Sequence, residues 1–254
     1  MNKTAIKLID IIKHFPVNDD YSKQENDQIR NGKFYALDGI SLSIEEGACA
    51  IIAGANGSGK SLLMSVIAGL EDPDSGSVEI GSRVGLIFQE PDAQLLGETA
   101  REDIAFGPRN LDFSKEQILL CVEDALLQTG LSQKADFPSR SLSGGEKRRL
   151  ATAGVLAMNA QIIIFDEPYS NLDFPGVVQV NCLFKKLIAE GKTIIILTHE
   201  LEKCMALANH FIVLFKGKKV FDGTASSALT VNLENWGIHH PLNNNSKCLE
   251  DLLW

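Results

Sequence analysis

Apolar positions in the first fifty residues fall at strand spacing. Ile6 and Leu8, followed by Ile11 and Ile12, suggest an early strand, and Leu37, Ile40, Leu42 and Ile44 suggest a second that ends at Glu45-Glu46-Gly47. Between them, residues 18–33 are polar and read as a solvated loop or a hairpin excursion. Residues 48–54 are apolar or small throughout, the pattern of a strand buried on both faces, and run straight into a glycine-rich turn and an apolar helix over 61–70. Asp72-Pro73-Asp74-Ser75-Gly76 is a turn cluster, after which Val78, Ile80, Val84, Leu86 and Ile87 return to strand spacing. Residues 93–158 are mostly helical in pattern, with Ile118, Leu119, Val122, Ala125, Leu126 and Leu127 recurring three and four apart.

Two β-rich runs follow, 162–165 and 193–197, with a helical stretch over 177–189 between them. Such a strand–helix–strand unit normally makes a parallel pair with a right-handed crossover. Residues 211–215 and 218–221 look like a closing hairpin around Gly217, and residues 231–254, rich in Asn and weakly patterned, read as an appendix with a short terminal helix.

Composition changes this picture little. The chain has 254 residues, 44% hydrophobic and 22% charged, which excludes a disordered chain, a collagen-like fibre and a disulfide scaffold. The net charge of −9 argues against nucleic acid or an anionic surface as the main partner and leaves a basic protein open. No apolar run approaches the ~18 residues of a spanning helix, and the N-terminus lacks the apolar stretch of a secretory signal, so neither spanning nor export is expected. The five cysteines (Cys49, Cys121, Cys182, Cys204 and Cys248) are odd in number and form no CxxC, which suits a reducing compartment.

Gly54-Ala55-Asn56-Gly57-Ser58-Gly59-Lys60-Ser61 fits the phosphate-loop pattern G-x-x-x-x-G-K-[ST] at every fixed position. Glycines let successive backbone N–H groups curl around phosphate oxygens, and the helix that follows, through Leu62, adds its N-terminal dipole. Lys60 then supplies a point charge to the terminal phosphates, and Ser61 a hydroxyl for magnesium.

Ile162-Ile163-Ile164-Phe165-Asp166-Glu167 is a buried strand ending in two carboxylates, at the edge where open parallel sheets bind ligands. Asp166 is the expected magnesium ligand, and Glu167 the base that polarises an attacking water. His199 ends the second such strand on the same rim, in reach of the terminal phosphate. Ser143-Gly144-Gly145-Glu146 opens a further helix: Ser143 and Glu146 form a capping box, and the two glycines expose N–H groups as a second anion site. Two phosphate-binding devices with one carboxylate pair are reconciled by a head-to-tail dimer, each ATP lying between one chain's loop and the other's helix start.

Together these elements resemble the ATP-binding cassette (ABC) ATPases over roughly residues 4 to 225. The resemblance implies an α/β fold: a P-loop NTPase cassette with a RecA-like parallel-sheet core, an antiparallel β subdomain and an α-helical signature subdomain. It implies an ATPase domain over 1–230, helical over about 92–158, and a tail over 231–254. Leu142 to Glu146 matches the family signature, with Glu146 where glutamine is more usual. Asp166 and Glu167 match the Walker B pair, Ser170-Asn171-Leu172-Asp173 the D-loop, His199 the switch histidine, and Gln89 the Q-loop glutamine, which is also a magnesium ligand. An aromatic stacks on adenine in this family; Phe15 is preferred for it and Tyr35 competes.

Residues 88–108 and Ala153 to Met158 are similar to the ATPase subunits of energy-coupling-factor transporters, the cobalt- and vitamin-importing group. That resemblance implies ATP and Mg2+ as cofactors and a second ATPase subunit, identical or a paralogue, as partner. It also implies a transmembrane coupling protein and a substrate-binding membrane subunit, and a place on the cytoplasmic face of the cell membrane. Glu90, Asp92, Glu98, Glu102 and Asp103 would border the groove for the partner's basic coupling helix. The alternatives are the ATPase of another ABC transporter class and a soluble ABC ATPase outside transport.

Overall fold

The computed structural model describes residues 3–17, 27–242 and 248–254. The expected excursion over 18–33 lies partly outside them, as does part of the 231–254 tail. In chain order the elements are β1 (Thr4–Pro16), β2 (Ile29–Arg30), β3 (Lys33–Glu45), β4 (Cys49–Ala53), α1 (Lys60–Ile67), β5 (Ser75–Ile80), β6 (Val84–Ile87), α2 (Ala100–Asn110), α3 (Lys115–Gln128), α4 (Gly144–Ala157), β7 (Ile162–Asp166), α5 (Phe174–Ala189), β8 (Thr193–Leu197), β9 (His210–Phe215), β10 (Lys218–Gly223) and α6 (Ala225–Ala228).

Six strands form the central sheet in the order β10-β9-β4-β8-β7-β6, parallel except for the β9–β10 hairpin at one edge. Successive side chains of a strand point to opposite faces, and here both faces are covered. Ile51, Ile163, Ile194 and Val213 pack on one side with α5, whereas Ile52, Ile164, Ile195 and Leu214 pack on the other with α1. That is why these strands read as unbroken apolar runs rather than as alternation.

The second sheet is antiparallel, in the order β2-β3-β1-β5. Its inner positions, Ile6, Leu8, Ile40, Leu42 and Ile44, close over α1 in the same core cluster. The strand pattern over 78–87 is divided: Val78 and Ile80 belong to this sheet, and Val84 to Ile87 to the central one. Helices α2, α3 and α4 make a third cluster around Ile104, Leu126 and Leu150. Among its described residues the terminal stretch has no α-helix, only 3-10 turns at Leu233–Trp236 and Leu249–Asp251, and Leu233, Ile238 and Leu252 are buried in the main core.

The helical layer is seated on the central sheet at one close approach. A Cβ on Gly85 of β6 would stand 2.1 Å from Val155 Cγ1 of α4. Valine is stiff at χ1 and cannot swing aside. Gly85→Ala should therefore destabilise the fold by about 1–3 kcal/mol, and Val155→Ala in the same chain should recover part of that. Urea unfolding of the single and double variants measures both; additive losses would show that the two sites do not meet.

Candidate active site

Strand register decides which side chains share a rim. Ile52 of β4 pairs with Leu197 of β8, and Leu197 pairs with Asp166 of β7. The three strands thus end level, so Gly54, Glu167 and His199 all emerge at the same C-terminal edge. β6 ends on that edge as well, since Ile87 pairs with Phe165, and releases Gln89 there.

The loop after β4 winds tightly. Gly54 takes φ +153°, where an added Cβ would lie 2.3 Å from the Leu214 carbonyl oxygen, and Gly59 takes φ +101°, with a Cβ 2.7 Å from that of Ala36. Only glycine fits either position. Asn56 and Gly57 are exposed at the loop's tip, Ala55 and Leu62 are half-buried, and the Ser58 hydroxyl is buried without a hydrogen-bond partner. The Lys60 ammonium, itself buried, donates to the carbonyls of Gly54 at 2.7 Å and Ala55 at 3.2 Å, folded over the loop it would serve. Burial lowers its pKa, opposed by the negative charges of Glu167 and Asp166.

Asp166 accepts a hydrogen bond from Ser61, yet its pKa is raised because burial outweighs that bond and the nearby Lys60. A carboxylate and a hydroxyl so joined are a hard-oxygen pair suited to a divalent cation. The Gln89 carboxamide is engaged with a different turn, Nε2 donating to Ser170 Oγ at 3.4 Å. Glu167 is buried at φ +46°, in the left-handed region disfavoured for a side chain of its size. Its N–H donates to Leu197 O at 2.9 Å, and Oε1 accepts from His199 Nδ1 at 3.0 Å. Its second oxygen, Oε2, is buried and has no partner. A buried carboxylate with one oxygen held by an exposed imidazole and the other free is arranged to accept a proton.

The capping box at α4 forms as expected: Ser143 N donates to Glu146 Oε2 at 2.9 Å, and Ser143 Oγ accepts from Glu146 N at 3.4 Å. Gly144 and Gly145 have ordinary φ, and a Cβ on either would meet nothing in this chain. Of the two aromatic candidates, Tyr35 is engaged, with the Arg30 guanidinium 4.1 Å from its ring centre and His14 at its edge. Phe15, one rung along the same strand pair, is 41% exposed with Lys13 5.9 Å from its ring centre. The acidic run after Gln89 is not one uniform face. Glu90 and Glu98 are exposed. Asp92 pairs with Lys147, and Glu102 caps α2, whereas Asp103 is buried and accepts from the N–H groups of Leu96 and Gly97.

Two cations escaped the sequence reading. Lys134 pairs with Glu146 at 2.5 Å and lies twelve residues upstream, outside any helical spacing that would signal it. Arg148 is buried, and its guanidinium donates to the carbonyls of Ser170 and Gln89, both at 3.2 Å. A cleft of about 590 Å³ lined by Leu127, Arg149, Leu183 and Cys182 opens between α4 and α5, but neither Lys60 nor Asp166 nor Glu167 borders it.

The family model described as ABC transporter matches residues 37–170. Curated relatives include an energy-coupling factor transporter ATP-binding protein EcfA2 of Methanospirillum hungatei, 40% identical over 77% of this chain and 53% of its own length. Another is the EcfA of Carboxydothermus hydrogenoformans, 39% identical over 82% of each. This chain spans about half the length of the first and most of the second. Among solved structures, cbiO1 of Clostridium perfringens, part of the ABC transporter complex cbiONQ, superposes with a TM-score of 0.76 at 28% identity, over 90% of this chain and 91% of that one. Among the described residues no helix is long and apolar enough to cross a membrane.

The Lys134 ammonium and the Ser143 N–H hold the Glu146 carboxylate well below the usual range, at about 2. A carboxylate whose pKa is depressed by folding stabilises the fold above its unfolded pKa of roughly 4.3 and loses that contribution as pH falls towards the folded value. Glu146→Gln should therefore flatten the fall in stability between about pH 4.5 and pH 2, a window set by those two values. Thermal melts across that range test it, and an unchanged acid limb would mean that Lys134 does not hold the carboxylate in solution.

Proposed function

The chain belongs to the ABC transporter family and is an ATP-hydrolysing cassette of it; from that premise we propose that it is the ATPase subunit of an energy-coupling-factor type importer, driving uptake of a vitamin or a transition-metal ion by ATP-dependent closure of a head-to-tail dimer. The observation that carries the hydrolytic part is the Glu167 carboxylate, buried beside Lys60 and Asp166, tethered by His199 through one oxygen and unpartnered at the other.

In this reading the N–H groups of residues 54–62 and the Lys60 ammonium hold the phosphates, which draws Lys60 off the loop carbonyls, and Phe15 stacks on adenine. Ser61, Asp166 and Gln89 would hold magnesium, which when bound would supply positive charge opposite the terminal phosphate oxygens. Glu167 takes the proton of the attacking water on its free oxygen, and His199 keeps that carboxylate aimed while its exposed ring reaches the terminal phosphate.

The dimer is supported by Gly144 and Gly145. Neither needs glycine for its backbone angle or for packing in this chain, so their small size serves an approach from outside, that of a phosphate carried by a second copy or a paralogue. The membrane partners are a transmembrane coupling protein and a substrate-binding subunit. Leu96 and Phe106, and the carboxylates Glu90 and Glu98 of the same 88–108 segment, are exposed and suit a helix that is apolar on one side and basic at its rim, and the cassette then sits peripherally at the cytoplasmic face. The ATPase domain is residues 1–230, helical over about 92–158, with 231–254 as a C-terminal tail.

Glu167→Gln should bind ATP with near-normal affinity, lose turnover by about a hundredfold or more, and accumulate as a nucleotide-bound dimer on size exclusion. Retained turnover would remove Glu167 from the role given to it. Lys60→Ala should abolish ATP binding, measured by calorimetry; an ordinary affinity would refute the loop assignment. For the importer reading, affinity purification from membranes should bring down a membrane protein with arginines in a cytoplasmic helix, and recovery of the chain with soluble partners alone would argue against it.

A further inference from the structure

Helix α5 buries Val177, Phe184 and Leu187 along one stripe, and Asn181 stands in the middle of that stripe, only 2% exposed. An apolar residue would be the ordinary occupant. Asn181 is tolerated because its amide is fully used. Oδ1 accepts from the Tyr169 hydroxyl at 2.7 Å, and Nδ2 donates to the carbonyl oxygens of Lys203 and Trp254, both at 2.8 Å.

The three segments joined there are separate in sequence. Tyr169 lies two residues beyond Glu167, and Lys203 four beyond His199. Trp254 belongs to the stretch 248–254, which is further pinned by buried Leu252, by Ala206 N donating to Leu252 O at 3.1 Å and by Trp254 N donating to Lys203 O at 3.3 Å. The Lys203 ammonium, paired with Glu200, lies 5.4 Å from the Trp254 ring centre and 5.9 Å from that of Tyr169, and Phe174 borders the same indole. Parting any one arm leaves a buried donor or acceptor without a partner, which costs more than the bond itself gains. The segments therefore shift together or not at all.

We propose that Asn181 is a positioning residue for hydrolysis: it fixes the turn that carries Glu167 relative to the turn that carries His199, and the stretch 248–254 completes the joint. It touches no substrate and acts through the Glu167–His199 contact. The inference rests on the hydrolytic role proposed above for that pair.

The test is steady-state ATPase kinetics on Asn181→Leu, Tyr169→Phe and Trp254→Ala, with ATP affinity and the thermal midpoint measured on the same preparations. A displaced catalytic group costs turnover, not ground-state binding. Asn181→Leu should lower kcat roughly tenfold with ATP affinity kept within about twofold, the other two variants shifting the same parameter less. Wild-type kcat in folded Asn181→Leu and Tyr169→Phe would overturn the proposal, as would losses of kcat and affinity that merely follow the loss of folded protein. If Asn181→Leu does not fold, Tyr169→Phe, which removes one hydroxyl, decides alone. Glu167→Gln separates the two levels: if it still turns over, the hydrolytic reading fails; if it is dead while the joint variants keep wild-type kcat, only the present proposal fails.

Discussion

The parallel pairing of β7 with β8 is the constraint on which the rest of the site depends. Its register sets Asp166 opposite Leu197, and the next N–H along, that of Glu167, still reaches the Leu197 carbonyl. One residue of slip in β7 would turn Ile163 and Phe165 to the wrong face of the sheet. The same slip would separate Glu167 from His199. Core packing on two faces, which is non-directional and worth roughly 25 cal/mol per Å² of apolar area, thus enforces a directional contact of 3.0 Å at the sheet's edge. The φ of +46° at Glu167 is a strain of the kind that persists only where the surroundings over-determine it.

Burial tunes charge at this edge in opposite senses. It raises the Asp166 carboxyl and lowers the Lys60 ammonium, so each becomes easier to neutralise, and the Coulombic attraction between them works against both shifts. A phosphate and a divalent cation entering together would relieve both. At the start of α4 the balance is different, because Glu146 has a lysine of its own and a backbone N–H, and stays ionised without external help.

Much of this was legible in the sequence, and the reasons are local. A strand buried on both faces announces itself as a run such as Ile162 to Phe165, and the tight glycine turn over residues 54–61 is contiguous, so its shape could be read from its own residues. The Ser143–Glu146 box is likewise a matter of three-residue spacing. What stayed hidden is what depends on tertiary meeting. Val78 and Val84 carry the same strand signal, and only packing sends them to different sheets. Asp103 looks like one more surface acid, yet it is buried to hold two backbone N–H groups. Lys134, Arg148 and Asn181 find their partners across twelve to seventy-three residues of chain, where no periodicity operates.

Arg148 gives the helical layer a mechanical meaning. Its guanidinium has exchanged water for two carbonyls, those of Gln89 and Ser170, on two different turns of the sheet's edge. An arginine presents its donors in a rigid planar fork, so the joint transmits torque as well as tension. Tilting α4 would drag both turns with it, and any rearrangement of either turn would push back on α4 with the same free energy, because such coupling is reciprocal. The start of α4, at Ser143 to Gly145, is thereby geared, within its own chain, to the residues flanking Glu167.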